Sequence, residues 1–283
     1  MKKACVIGWP IAHSRSPLIH GYWLQKHGIA GQYEKQAIEA SELRKFLNAV
    51  KAGAWQGCNV TLPHKQAVIS LIDVRDDRVS RIGSANTLYL DQGKLCATST
   101  DGPGFLANLV YQCPDFEIAG STIVVLGAGG SARAIVDELV RNDAAQVIVA
   151  NRTHEKAQQL AIHFGPRVIA VEVANLHQHV SRCNLLVNAT AAGMAGSAAL
   201  SFPFDALGQE TVVYDIVYTP LLTPFLQAAL RRELRIVTGL GMLLHQAVTG
   251  FEKWFGVRPV VTQELHDLVA RDIDPLYKSL QIQ

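Results

Sequence analysis

The 283-residue chain lacks most of the features that would settle its class at once. It has no CxxC pair: Cys5, Cys58, Cys96, Cys113 and Cys183 are odd in number and far apart. That excludes a disulfide framework and a thiolate zinc site, and reads as reduced core thiols in a cytoplasmic protein. It has little excess of charge, 26 Lys and Arg against 24 Asp and Glu, so no field strong enough to hold a nucleic acid as main partner. It has no apolar run fit to span a bilayer, since the longest charge-free stretch, Cys183 to Phe204, carries Asn184, Asn188, Thr190 and Pro203. The apolar stretch after Lys2 and Lys3 is broken by Gly8, Pro10, His13 and Arg15 too soon for an export signal. There is no HExxH, His13, His20 and His64 show no metal-ligand spacing, and no fixed-period repeat is visible. A soluble protein without a metal is expected.

With 49% apolar and 18% charged residues the chain can build sizeable cores, and its length suggests about two domains. The first hundred residues alternate strand-like and helix-like segments. A strand is predicted over 3–7, then a helix with Ser16 as N-cap, Pro17 at its first position and Gly28 closing it. A second helix runs from Ser41 with Leu43, Phe46, Leu47 and Val50 as its buried stripe. A strand over 57–61 precedes a third helix opened by Pro63, carrying Ala67, Val68, Leu71 and Ile72 inward. A second pattern begins at the β-branched run 122–126, which meets Gly127-Ala128-Gly129-Gly130, a helix over 131–142 and a strand over 147–150, one βαβ unit. Strand-like runs at 168–171, 185–188, 212–217 and 235–237 continue it as an open parallel sheet, and the chain after Gly239 reads as helical.

Gly127-x-Gly129-x-x-Ala132 has the form and context of a dinucleotide fingerprint: a tight turn, close backbone approach to a pyrophosphate, and close helix–strand packing, with helix N–H groups facing the anion. At the end of the next strand, where an NAD site usually places a carboxylate, stand Asn151, Arg152 and Thr153, followed by Lys156. Cations there attract a 2′-phosphate, and Arg152 can pair with it through its planar fork, so NADP is expected. In the first half, Ser14 and Ser16 offer two hydroxyls at a helix start, suited either to a carboxylate or to capping. Asn59 and Thr61 share one face of a strand end. Lys65, in the first turn of the following helix, is placed against the helix dipole, which argues for a role in exchanging a proton with a substrate hydroxyl or carbonyl. Asp101 is the available carboxylate, or else a helix cap.

Eleven residues from Ile7 to Pro17 (IGWPIAHSRSP), NVTLPHK at 59–65, GSANT at 83–87, STDG at 99–102, GAGGSAR at 127–133, NRT at 151–153, NATAAGM at 188–194, YDIVYTPLLTP at 214–224 and GLGMLLHQA at 239–247 together resemble the shikimate dehydrogenase family, in order and over nearly the whole chain. The resemblance implies an α/β enzyme with a substrate-binding catalytic domain (1–103), a Rossmann-type NADP domain (104–239) and C-terminal helices (240–283) that return to the first domain. It implies NADP-linked, reversible reduction of 3-dehydroshikimate to shikimate in aromatic amino acid biosynthesis, by a monomer or homodimer. Lys65 and Asp101 match the catalytic pair. Ser14 and Ser16 match the hydroxyls that hold the substrate carboxylate, helped by Tyr218; Asn59, Thr61, Asn86 and Gln246 match positions that bind ring hydroxyls. The cofactor positions fall on Gly127, Ala128, Gly129, Gly130, Ser131, Ala132, Asn151, Arg152, Thr153, Lys156, Thr190, Ile216 and Gly239, with Asp77 a further match.

Two departures stand beside Asp101. The family commonly has Gly-x-Asn-Thr-Asp where this chain has Ala97-Thr98-Ser99-Thr100-Asp101, and GAVNT is here GSANT. The alternatives are a quinate/shikimate-type dehydrogenase or a paralogue acting on another carboxylated cyclohexane polyol, and a non-catalytic ligand-binding paralogue, against which both Lys65 and Asp101 argue. A folate-linked dehydrogenase of related shape is disfavoured by the double serine.

Overall fold

A computed structural model describes residues 1–194, 197–198, 200 and 202–278. The chain divides into two compact units, Met1–Asp101 with Leu244–Val269, and Gly102–Leu243 with the residues from Ala270 on.

In the first unit the elements are β1 (Lys2–Gly8), α1 (Ser16–Lys26), β2 (Gly31–Ala37), α2 (Leu43–Lys51), β3 (Gly57–Val60), β4 (Val74–Arg75), α3 (Asp77–Ile82), β5 (Thr87–Asp91) and β6 (Lys94–Thr98). The strands form one mixed sheet in the order β2-β1-β3-β5-β6-β4, parallel at β2-β1-β3 and antiparallel through β5 and β6. Alternation along β1 turns Cys5 and Ile7 toward a core completed by Leu43, Leu47 and Val50 of α2 with Val60, Leu88 and Leu95.

Three local expectations change. Ser16 is the first helical residue of α1, with Arg15 before it, and no side chain caps the helix. The second helix starts at Leu43 rather than Ser41, still with Leu43, Leu47 and Val50 buried. After Pro63 there is no α-helix, only a 3-10 turn over Ala67–Ser70 with Val68 buried and Ala67 exposed. The reason is visible in the backbone: the Lys65 carbonyl, which a helix would offer to the amide four residues on, accepts instead from the Ala85 amide at 2.9 Å. Lys65 therefore sits in a loop, and the dipole argument for it does not apply.

The second unit contains α4 (Asp101–Gln112) from its second residue on, β7 (Thr122–Leu126), α5 (Gly130–Arg141), β8 (Gln146–Ala150), α6 (His154–Phe164), β9 (Val168–Val171), β10 (Leu185–Asn188), β11 (Val212–Asp215), α7 (Pro224–Leu230) and β12 (Arg235–Val237). Its sheet is parallel throughout, in the order β9-β8-β7-β10-β11-β12, the doubly wound arrangement whose switch point lies between β7 and β10. Both faces are covered, so the strands are apolar on both sides. Val125, Val149 and Val187 meet Ile135 and Leu139 of α5, while Val124, Ile148 and Leu186 meet Phe225 and Leu226 of α7. Two further helices, α8 (Leu240–Phe255) and α9 (Gln263–Ile273), close the described chain. The part of α8 that belongs to the first unit docks on its sheet through Trp254, whose Nε1 donates to the Leu88 carbonyl at 2.9 Å. Gly57 makes room for it, since a Cβ there would lie 2.4 Å from that nitrogen. Among the described residues no helix is long and apolar enough to cross a membrane.

Candidate active site

In the first unit the ends of β3 and β6 and the loop after α3 bring together the polar residues singled out in the sequence. Lys65 Nζ donates to Asp101 Oδ2, and this ion pair is largely buried, the side chains 13% and 7% exposed. Asn86 Nδ2 donates to the other carboxylate oxygen, Asp101 Oδ1, at 2.7 Å and faces Gln246 Oε1 at 3.2 Å. Its own Oδ1 accepts from the Thr100 amide at 2.8 Å. The loop that departs from the family pattern, Ser99-Thr100, is thus tied down by Asn86, and Asp101 is held from both sides. With one oxygen on the Lys65 amine and the other on an amide, the carboxylate cannot swing away, and it keeps the lysine aimed. That arrangement suits transfer of a proton to an oxygen that becomes negative.

Asn59 is buried at the end of β3, and Thr61 follows it, half-buried. Ser16 is buried and Ser14 half-buried. Because Ser16 caps nothing, its hydroxyl is not explained by the helix, whereas Ser14 Oγ accepts weakly from the Ser16 amide at 3.3 Å. Gln246 lies on α8 within the first unit. Tyr218 follows β11 and is half-buried in the second unit. Asp77, at the start of α3, is exposed on the first unit, apart in sequence from every other residue assigned to the cofactor.

The remaining cofactor positions lie in the second unit, at the carboxyl ends of its strands. Gly127 has φ +112°, and a Cβ there would stand 3.0 Å from the Ala189 carbonyl, so only glycine makes this turn. Gly129 precedes α5 with no side-chain cap on the helix, and open space lies where its Cβ would be. The first turn of α5 therefore faces room for an anion. At the end of β8, Asn151 Nδ2 donates to the Thr153 carbonyl at 2.8 Å, shaping the entry to α6. Arg152 and Lys156 are exposed there. These residues fit a dinucleotide with a 2′-phosphate: glycines that leave room for the pyrophosphate, and cations where a carboxylate would repel the extra charge.

Sequence reasoning missed what holds Thr190 and Ile216. Asp215, fully buried, accepts from Asn188 Nδ2 at 2.9 Å, from the Val217 amide at 3.0 Å and from Thr223 Oγ1 at 2.6 Å. Asn188 Oδ1 in turn accepts from the Thr190 hydroxyl at 2.7 Å and amide at 3.1 Å. Burial raises the Asp215 carboxyl above its ordinary value, against the hydrogen bonds that favour its charge. Tyr33, Thr87 and Thr100 were also missed. The last two lie inside GSANT and STDG, where neighbouring residues drew attention; Tyr33 lies on β2, whose GQYEKQA shows no strand pattern. Among the described residues no group of three or more His, Cys, Asp or Glu side chains could hold a metal ion.

Three family models match in order: a shikimate dehydrogenase substrate binding domain over residues 6–88, shikimate / quinate 5-dehydrogenase over 109–195, and a shikimate 5'-dehydrogenase C-terminal domain over 239–261. A shikimate dehydrogenase (NADP(+)) of Nitrobacter winogradskyi is 47% identical over 272 residues, 96% of this chain and 97% of that one. Among solved structures, shikimate 5-dehydrogenase of Thermus thermophilus in complex with NADP(H) and shikimate is 34% identical with TM-score 0.86, covering 96% and 99% of the two chains. Quinate dehydrogenase of Corynebacterium glutamicum in complex with NAD is 27% identical with TM-score 0.86, covering 95% and 98%.

Proposed function

The chain belongs to the shikimate dehydrogenase family, and from that premise we propose that it catalyses the reversible, NADP-linked reduction of 3-dehydroshikimate to shikimate. The observation that carries the reading is the buried Lys65–Asp101 pair, fixed by Asn86. The first unit holds the substrate: Ser14 and Ser16 take its carboxylate, and Asn59, Thr61, Asn86 and Gln246 its ring hydroxyls. Tyr218 is assigned to the substrate, and Asp77 to the cofactor, by the resemblance alone. In the second unit the amides of 127–132 take the pyrophosphate, Arg152 and Lys156 with Asn151 and Thr153 take the 2′-phosphate end, and Thr190, Ile216 and Gly239 line the rest.

When bound, NADPH supplies a hydride to the carbonyl carbon. Lys65 faces the oxygen that gains charge, stabilises it as an ammonium and gives it a proton, so that carbonyl, hydride and proton become the alcohol. Solvent then returns a proton to Lys65, which Asp101 keeps aimed. In the oxidation direction the neutral amine accepts the hydroxyl proton. All five cysteines are buried and free of disulfides, which supports a reducing, cytoplasmic setting.

The departures at Ala97 and Ser99 and the likeness to a quinate dehydrogenase keep a second reading in view, a quinate-type activity. Initial rates at 340 nm with shikimate and quinate, each with NADP+ and NAD+, test both. The proposal expects shikimate with NADP+ to give the highest kcat/KM by at least about tenfold, a difference of roughly 1.4 kcal/mol. A preference for quinate or NAD+ would overturn it.

A further inference from the structure

Within the first unit, His20 of α1 is fully buried. Its ring stacks on Tyr33 at 3.9 Å between centroids and 15° between planes, and lies nearly parallel to Phe251 at 5.9 Å and 11°. Trp23 and Trp254 close the cluster at 5.7 and 5.5 Å. Held in this stack, the Tyr33 hydroxyl reaches Asn59 Oδ1 at 2.6 Å. We infer that Tyr33 is a positioning residue that presents Asn59 to the substrate as a hydrogen-bond acceptor only, so that this position selects a hydroxyl and rejects any group that cannot donate. The inference rests on Asn59 touching the substrate, as proposed above.

The order of donors follows from groups whose polarity is fixed. The Thr100 amide can only donate, so Asn86 Oδ1 faces it and Asn86 Nδ2 faces the Asp101 carboxylate. The Asn86 backbone carbonyl can only accept, so the Asn59 atom 3.2 Å away is Nδ2. The second Asn59 N–H goes to Thr87 Oγ1, also at 3.2 Å, whose own proton points to Asn86 Oδ1 at 3.3 Å. Both amide protons of Asn59 are therefore spent, and Oδ1 is turned to the Tyr33 hydroxyl, which must donate. A carbonyl oxygen has two lone pairs. Tyr33 occupies one. The buried His20 side chain also lies within reach of Asn59, but its ring nitrogens make no well-formed hydrogen bond, so the second lone pair is the capacity a substrate hydroxyl would use. It can receive a proton from a substrate hydroxyl and has nothing to give a carbonyl, an ether or a fluorine. Burial holds the Tyr33 phenol well above its ordinary value, so it stays a donor throughout the working pH range.

The test is a panel of substrate analogues in which each ring hydroxyl in turn is replaced by hydrogen or by fluorine, measured with the parent enzyme, Tyr33→Phe and Asn59→Ala. In the parent, one position should show a deoxy penalty of about tenfold in KM, of the size of one hydrogen bond, with the fluoro analogue no better than the deoxy one. Tyr33→Phe keeps the ring in the stack and removes the donor to Asn59 together with a hydrogen bond to Ser16. The deoxy penalty at the ring position, which Ser16 on the carboxylate would not change, is therefore the deciding readout. It should raise the KM of the natural substrate about tenfold, change kcat and the KM for NADP+ little, and shrink the deoxy penalty at that same position. A merely structural role would lower stability without this selective loss. A Tyr33→Phe enzyme that keeps the full deoxy penalty while Asn59→Ala loses it overturns the inference, as does a fluoro analogue that binds like the hydroxyl. An Asn59→Ala enzyme that keeps every penalty overturns instead the assignment of Asn59 to the substrate.

Discussion

His20 should make the first unit sensitive to acid, by an amount that can be worked out. Neither ring nitrogen makes a well-formed hydrogen bond among the described residues, and burial lowers its pKa to about 3 against the opposing effect of the neighbouring Asn59 side chain. In the unfolded chain an ordinary histidine titrates near 6.5. Between those values the unfolded state binds a proton that the native state refuses, so stability falls as pH drops from about 6.5 toward 3. Integrating the two titrations from about pH 7.5 to about pH 5 gives a loss of roughly 2 kcal/mol from this one residue. His20→Phe keeps a flat ring between Tyr33 and Phe251 and removes both ring nitrogens, so the variant should be as stable as the parent at the higher pH or more so. At pH 5 it should be about 2 kcal/mol more stable than that baseline predicts. His245 and His266, whose pKa values burial also lowers, add the same slope to both proteins and cancel in the comparison. The four tryptophans, Trp9, Trp23, Trp55 and Trp254, all belong to the first unit, so denaturant unfolding followed by their fluorescence reports that unit. Equal acid losses in parent and variant would refute the reasoning, because His20 would then protonate in the native protein as readily as in the unfolded one.

Arg152→Ala should weaken NADP+ binding by about 1.5–3 kcal/mol, one to two decades in KM, with little effect on NAD+; an unchanged cofactor preference in steady-state kinetics would count against the 2′-phosphate role. Replacing Ser14 and Ser16 together by alanine should raise the KM for shikimate while leaving that for NADP+ unchanged. Since neither caps α1, the melting temperature should move little, and a loss of stability without a KM effect would return both residues to structure. Asp215→Ala strands the Asn188 and Thr223 donors in a buried site and should cost about 2–4 kcal/mol in denaturant unfolding, with a raised KM for NADP+ through the loosened Thr190; unaltered stability would mean that the loops hold without it.

The second unit was the more legible of the two. Its central strands are buried on both faces and read as apolar runs, and the glycines after 122–126 announce the turn, so 122–126, 168–171, 185–188 and 235–237 coincide with β7, β9, β10 and β12. The first unit hides more. β2 is an edge strand with only Tyr33 buried, and β5 and β6 are a hairpin whose pairing is set by distant partners. Pro63 announces a helix by local propensity, yet a long-range bond from Ala85 takes the carbonyl that the helix needed. In the site, the helix-dipole argument that drew attention to Lys65 fails because no α-helix forms after Pro63. Asp101 was legible only as the available carboxylate or a cap, so the pairing of the two rested on the family resemblance. Tyr33 and Asp215 were not legible, because each acts through another residue, Asn59 or Asn188, and no spacing in one chain reports a contact between strands.

The account turns on Lys65 and Asp101 working as one proton-transfer unit, and a double-mutant cycle in kcat for shikimate oxidation measures that directly. Lys65→Ala should lower kcat by roughly two to four decades, with shikimate and NADP+ affinities far less affected. Asp101→Ala added to it should cost much less than the product of the single effects, because a carboxylate that aims an absent lysine has little left to do. Fully multiplicative losses would mean that the two residues act independently, and near-normal turnover of Lys65→Ala would take the lysine out of the chemistry.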